Sequence, residues 1–398
     1  MNKFGIISPQ DWDLPVRIDR SDQRIKSALG ISSEDVEQRI KANLNQWLPN
    51  QFDPERHAFY GFYRAADKYR EPPQTVNLII PWELMAAFDR YTEHHWLDMA
   101  NQALDYYFQT FVVNHPMSTV RGGARDGVAT NEIWTKFTAE FVIGALGYYQ
   151  RSQAAEWLER AEQSGQYLLQ AARHGFATKY RLDADEWVDA RHGWDSWGRA
   201  IEACLLLEEY TGNEKWAQLA MRWGEHALEI QGDNGCYYLI NREYYNTDLA
   251  ADEIRGLLFL FERSGDQKFL HAGLKYADWH LANQKTNGAW SMTIDNDGNV
   301  VVPTIGPGDA PNIGIALLRA HQLTHLEKYL EGALKAFRYS LSKQILPGSD
   351  QPYSDDPNVQ WGFWSWDPAY DYSVSGDQAT HHIRGLMFLL DYLASLEN

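Results

Sequence analysis

Cysteine is scarce: Cys204 and Cys236 are the only two in 398 residues. That is too few to staple a secreted disulfide scaffold, and neither stands in a metal-ligand spacing. Positive charge is also in short supply, with 36 Lys and Arg against 54 Asp and Glu and a formal net charge of −18. This balance argues against nucleic acid as a partner, because phosphate binding needs a basic face. An acidic small substrate stays possible, since a site can be locally basic. No run of about 18 uninterrupted apolar residues occurs, so neither a transmembrane helix nor a membrane partner is expected. The opening MNKFGIISPQDWDLPVRIDR has no apolar core of a signal peptide, which makes a cytoplasmic location the expectation. His192, His381 and His382 form neither HxxxH nor HExxH, so no catalytic metal is predicted, and no cofactor is expected. RGGARDG (121–127) lacks the strand–turn–helix setting of a phosphate loop. Nothing in the sequence speaks to oligomeric state.

Apolar residues are plentiful. At 44% hydrophobic and 14% aromatic, the chain has ample material for a core. Its most informative feature is a long-period repeat. When TDLAADEIRGLLFLFERSGD (247–266) is laid on GDQATHHIRGLMFLLDYLAS (376–395), Asp248 meets Asp377, Arg255 meets Arg384 and Gly256 meets Gly385. WDSWGRAIEACLLLEEYTGN (194–213) has the same form and puts Asp195 in the Asp248 position. Weaker copies lie at 75–93, 130–152 and 309–325. All six are apolar on most faces, the mark of a helix buried all round.

Each of the first five is followed, after a short turn, by a helix with apolar residues at i, i+3 and i+4, such as KWAQLAMRWGEHALEI. The sixth ends the chain without a partner, and the amphipathic SSEDVEQRIKANLNQWLP (32–49) near the N-terminus has none before it. Its SSED opening is a capping-box pattern. Pairing these two closes a ring. The prediction is an all-α fold, an (α/α)6 toroid of six helical hairpins spanning 1–398 as one catalytic domain, with the N-terminal helix beside the last inner helix. An open helical solenoid is the competing architecture, but repeat starts about 55–65 residues apart are too widely spaced for those families.

Turns from inner to outer helices are brief, whereas the returns at 50–74, 113–129, 173–189, 231–246, 285–308 and 345–375 are long. Long loops in a compact domain are usually functional, and all six must gather where the inner helices begin. They are rich in aromatic residues. The last runs into WGFWSWDPAYDYSVSGDQATHH (361–382), and Trp364 and Trp366 are expected to stack on sugar rings at the mouth of a funnel.

Asp195, Asp248, Asp309 and Asp377 recur near one repeat position, where an N-cap is the ordinary role of Asp. Asp195 stands apart because His192, Trp194, Trp197 and Arg199 flank it, a setting that can displace a carboxyl pKa. One turn inward, Asp252 and Glu253 take the positions of His381 and His382, with Arg255 and Arg384 nearby; catalysis or a structural ion-pair ring would both fit. Asp195, Asp252 and His381 are the catalytic candidates. Lys136, Trp134, His192, Trp194, Tyr245, Arg255, Trp364, Trp366 and His382 are the candidates for substrate binding. Arg121, Arg125, Lys136, Arg181, Arg191 and Arg242 also point to this face and would suit a substrate carboxylate such as that of a uronic acid.

TGNEKWAQLAMRWGEHAL and SGDQKFLHAGLKYADWHLANQ resemble the TGD-x-x-[YF]-L-x-x-A phrase common in the six-hairpin superfamily of (α/α)6 carbohydrate enzymes. The resemblance covers nearly the whole chain and matches no single family's catalytic motif. It implies an enzyme acting on an oligosaccharide or polysaccharide. Glycoside hydrolysis by a carboxylic acid and a carboxylate leads, because carboxyl pairs are plentiful and hydrolases are numerous in that superfamily. A polysaccharide lyase, in which His381, Tyr245 or Tyr372 takes the C5 proton of a uronic acid, follows closely. A sugar 2-epimerase and a non-catalytic glycan-binding toroid complete the set.

Overall fold

A computed structural model describes residues 4–16, 23–188, 197–237, 244–246, 250–295 and 298–396. Helices α1 (Gln23–Leu29) and α2 (Ser33–Ala42) precede the alternating series α3 (Ile80–Tyr91), α4 (His94–Thr110), α5 (Thr135–Ser152), α6 (Ala155–Arg173), α7 (Trp197–Thr211), α8 (Glu214–Ile230), α9 (Ala250–Ser264), α10 (Gln267–Asn283), α11 (Asp309–Thr324), α12 (Glu327–Lys343) and α13 (Gly376–Ser395). The odd-numbered helices from α3 to α13 form the inner ring. In α13 every residue from Ala379 to Ala394 is buried, as its near-uniform apolarity requires. The outer helices bury one stripe, which in α8 is Trp216, Leu219, Ala220, Trp223 and Ala227.

The TGN and SGD phrases have a direct physical meaning here. Gly212 (φ 64°) and Gly265 (φ 74°) end α7 and α9 in the left-handed region, where a Cβ would be strained. The next residue then caps the outer helix: Asn213 Oδ1 accepts from Lys215 N, and Asp266 Oδ1 from Lys268 N, each at 3.1 Å. Inner helix, αL turn and N-cap thus occupy a few residues, which makes these turns short.

The ring closes as expected. Arg90 of α3 donates to Glu37 of α2 at 2.8 Å and to Asp391 of α13 at 2.9 Å, with all three side chains buried. Gln344, just past α12, donates to the Arg39 carbonyl, so α2 takes the twelfth place. The helix is shorter than the pattern over 32–49 indicates. It relaxes into a wider turn over Asn43–Trp47 and a tighter one over Leu48–Gln51, where Pro49 supplies no N–H to continue the ladder.

The N-terminal segment fills the hole of the ring at the C-terminal ends of the inner helices. Phe4 meets Phe259 edge-on with centroids 5.9 Å apart, and Trp12 meets Phe388 at 4.6 Å. Arg384 donates from Nε to the Ile7 carbonyl at 2.9 Å and from Nη2 to that of Ile6. Gly147 has no room for a Cβ, which would fall 1.9 Å from Ile7 Cδ1.

At the opposite face the long returns are tied together by short antiparallel strands. Glu132–Trp134 pairs with Ala124–Arg125 and with Lys179–Arg181, which in turn pairs with Glu186–Val188. Tyr63–Arg64 pairs with Ser373–Val374, joining the first return to the last. Strands of two or three residues are too short to show a period-two pattern in sequence. They turn six loops into a rim.

Candidate functional site

A cavity of ≈ 600 Å³ opens inside this rim, above the N-termini of the inner helices. Phe62, Trp134, Phe137, Met292 and Trp366 supply its apolar walls. Its carboxylates are Glu71, Asp126, Asp309, Asp371 and Asp377, and Lys136 is the one cation among the described lining residues.

Trp134 ends a strand and is the N-cap residue of α5, so its ring leaves the sheet where the helix begins. Lys179 Nζ lies 4.7 Å from its centroid. Two residues on, Lys136 is in the first turn of α5. Asp309 is the first residue of α11, whose N-cap is Gly308. Asp377 is the second residue of α13, whose N-cap is Ser375, with its Oγ accepting from Gln378 N. These two recurrent aspartates are therefore not the caps that their repeat position suggests. They stand within the first turns of their helices.

Burial and then the neighbouring Glu132 push Asp126 above the usual aspartate range, against Lys179 and Lys136. Burial likewise raises Glu71. His381 Nε2 lies 3.9 Å from Asp377 Oδ1. Burial, followed by Arg384, Arg199, Lys136 and Arg255, holds His381 well below the usual histidine range, so its imidazole is neutral at pH 7.

A buried ion network lies beneath. Asp252 Oδ1 accepts from Arg199 at 2.8 Å and from Arg255 at 2.6 Å. Arg255 also reaches Glu202 at 2.9 Å and Asn312 at 3.1 Å. The repeat explains the pairing: Arg199 and Asp252 hold one position on adjacent inner helices, and Glu202 and Arg255 hold another, one turn deeper. Glu140 is 3.9 Å from Arg199, and burial pushes its carboxyl up to about 8. Glu83, donated to by Thr380, is pushed up to about 8 in the same way.

Of the residues expected from sequence, Trp134, Lys136 and Trp366 line the cavity. Trp364 is largely buried, donates to Gln351 at 3.1 Å and lines a neighbouring hollow instead. Asp252 and Arg255 are buried and paired with each other, and neither is among the described residues that line the cavity. His381 reaches the site through Asp377. His382 faces away: it stacks on Phe363 with centroids 3.8 Å apart, and its Nδ1 is 2.6 Å from Ser340 Oγ of α12. His192, Trp194 and Asp195 lie outside the described residues, as does the side chain of Tyr245, whose backbone pairs with Ile294. Of the expected basic cluster, Lys136 is the member that lines the cavity among the described residues. Arg121 turns to Gln163 and Arg181 to Glu186, both on the outer rim, while Arg191 and Arg242 fall outside the description. Asp126, Asp371, Phe62 and Gln378 were not singled out by sequence reasoning. Asp126 stands in RGGARDG between Arg125 and Gly127, with no repeat position of its own to mark it.

None of the described helices is long and apolar enough to cross a membrane. No protein-family model matches the chain. No curated protein matches it in sequence. Its fold is similar to that of the cellobiose 2-epimerase from Bacillus thermoamylovorans, with a TM-score of 0.70 at 14% identity over 89% of this chain and 98% of that one. A D-mannose isomerase gives a TM-score of 0.70 at 16% identity, covering 92% and 98%. A GH76 α-mannanase from Bacteroides thetaiotaomicron gives 0.67 at 15% identity, covering 94% and 99%. The chain thus has the (α/α)6 toroid fold that these carbohydrate-active enzymes share.

Proposed function

We propose that this chain is a carbohydrate-active enzyme that cleaves a glycosidic bond by general acid/base hydrolysis in the rim cavity. The observation that supports it most is a set of carboxyls gathered in one aromatic-walled cavity, with Asp126 pushed above the usual aspartate range by burial. Asp126, biased toward its protonated form by burial and Glu132, is suited to protonate the departing glycosidic oxygen. Asp377, in the first turn of α13, is suited to take a proton from the water that attacks the anomeric carbon. Trp134 and Trp366 offer ring faces to the apolar sides of the sugar. Among the described lining residues five carboxyls face one lysine, a balance that disfavours an anionic ligand, so a neutral saccharide fits this lining better than the uronic acid suggested by the sequence.

A second reading has its own support. The neutral His381 imidazole beside Asp377 could remove a proton from a carbon next to a carbonyl, the first step of sugar epimerisation or isomerisation. A panel of neutral oligosaccharides, read by product mass and ultraviolet absorbance, separates the two. Shortened chains support hydrolysis, an isomer of unchanged mass transfers the site to His381, and an absorbing unsaturated product means elimination.

A further inference from the structure

A second hollow, ≈ 430 Å³, lies beside the main cavity, and Trp366 lines both. Its other walls are Trp364, Tyr372 and Pro352. Trp364 and Tyr372 meet edge-on with centroids 5.6 Å apart, and the Trp364 indole is fixed by its bond to Gln351. Trp366 is braced by Tyr370, stacked at 5.9 Å and 24°. At the edge, Lys343 Nζ pairs with Asp367 Oδ2 at 2.7 Å, and both side chains remain partly exposed. Tyr339 donates to the same carboxylate at 2.8 Å.

We infer that this hollow is a second saccharide subsite, and that the substrate is a chain laid across Trp366, with one unit in each compartment. Braced aromatic rings supply flat apolar faces, and a neutralised ion pair at the rim supplies a donor and an acceptor for sugar hydroxyls without repelling a neutral ligand. A wall shared by two compartments needs a ligand with two linked units. A hydrophobic molecule would leave Lys343 and Asp367 unused. An anionic one would find the Lys343 charge already paired with Asp367, and would face Asp371 and Asp377 in the neighbouring cavity.

The inference rests on the saccharide reading of the main cavity, and the test keeps the two apart. Glucose, mannose and the cello-, manno- and malto-oligosaccharides from disaccharide to hexasaccharide are offered to the whole protein, to Lys343→Ala and to Ala369→Trp, which fills the hollow. Turnover is followed by product mass and binding by ligand-observed NMR, with thermal melting as the control for folding. The expected result is that affinity rises from monosaccharide to disaccharide, and that folded variants lose about tenfold in kcat/KM or affinity on the disaccharide and longer chains while monosaccharide binding in the main cavity is unaffected. Length-dependent binding that both variants abolish, without turnover, supports the subsite and removes the hydrolase reading. Turnover independent of length and unchanged in both variants overturns the subsite and leaves the hydrolase standing. Absence of binding and turnover across all three series overturns both.

Discussion

Replacing Arg90 with methionine would strand two buried carboxylates at the seam where the ring closes. The guanidinium holds Glu37 and Asp391, and the side chains of Arg90, Glu37 and Asp391 are 1%, 5% and 0% exposed. Removing one partner of a buried ion pair typically costs about 3–5 kcal/mol, because a desolvated charge is left uncompensated. Here two carboxylates lose the same cation, which places the effect at the upper end of that range. With an unfolding entropy of about 2 cal/mol/K per residue, a chain of this length should lose on the order of 5 °C in Tm. Part of the loss should return in the Arg90→Met, Asp391→Leu double variant, since its buried charges are fewer and its volume is kept. Calorimetry and urea titration check this. An unchanged Tm for Arg90→Met would mean that the seam is not held by this triad, and that α2 is not an integral member of the ring.

Trp366→Ala should weaken saccharide binding by about 1–3 kcal/mol while leaving Tm nearly unchanged, as isothermal calorimetry with the best oligosaccharide would show. Deleting residues 1–14 should lower Tm sharply and expose apolar surface to a hydrophobic dye, because Phe259, Phe388 and the Arg384 guanidinium lose their cover. Glu83 and Glu140 carry pKa values raised to about 8 from 4.5. Their stabilising contribution is therefore complete below about 4.5 and declines as pH rises toward 8, because the unfolded chain ionises first. Glu140→Gln should flatten that decline in a pH series of urea titrations, and an unaltered slope would refute the assignment.

The toroid was legible because its signal is periodic and redundant. Inner helices buried on most faces repeat six times, and α8 begins one residue before its apolar pattern KWAQLAMRWGEHALEI. The N-terminal plug left no such trace. FGIISPQDW is too short for periodicity, and its burial comes from partners as distant in sequence as Phe259 and Phe388. The site was legible in part. Trp134, Lys136 and Trp366 fall in loops or helix starts that topology sends to the rim, so composition and position together picked them out. By its repeat position Asp377 has the place of a cap, because a one- or two-residue difference between N-cap and first turn has no signature in sequence without backbone dihedrals. His382 shows the converse error. Adjacent helical residues point about 100° apart, so His381 can reach Asp377 while His382 packs against Phe363 and Ser340.

The proposed hydrolysis is tested most directly by digesting the best oligosaccharide in oxygen-18 water and weighing the products. The account predicts one labelled oxygen per bond broken, at the new reducing end. It also predicts a loss of at least about a hundredfold in rate for Asp126→Asn and for Asp377→Asn in variants that melt like the parent. Products of unchanged mass, or an unsaturated product without label, or full activity in both asparagine variants, would contradict it.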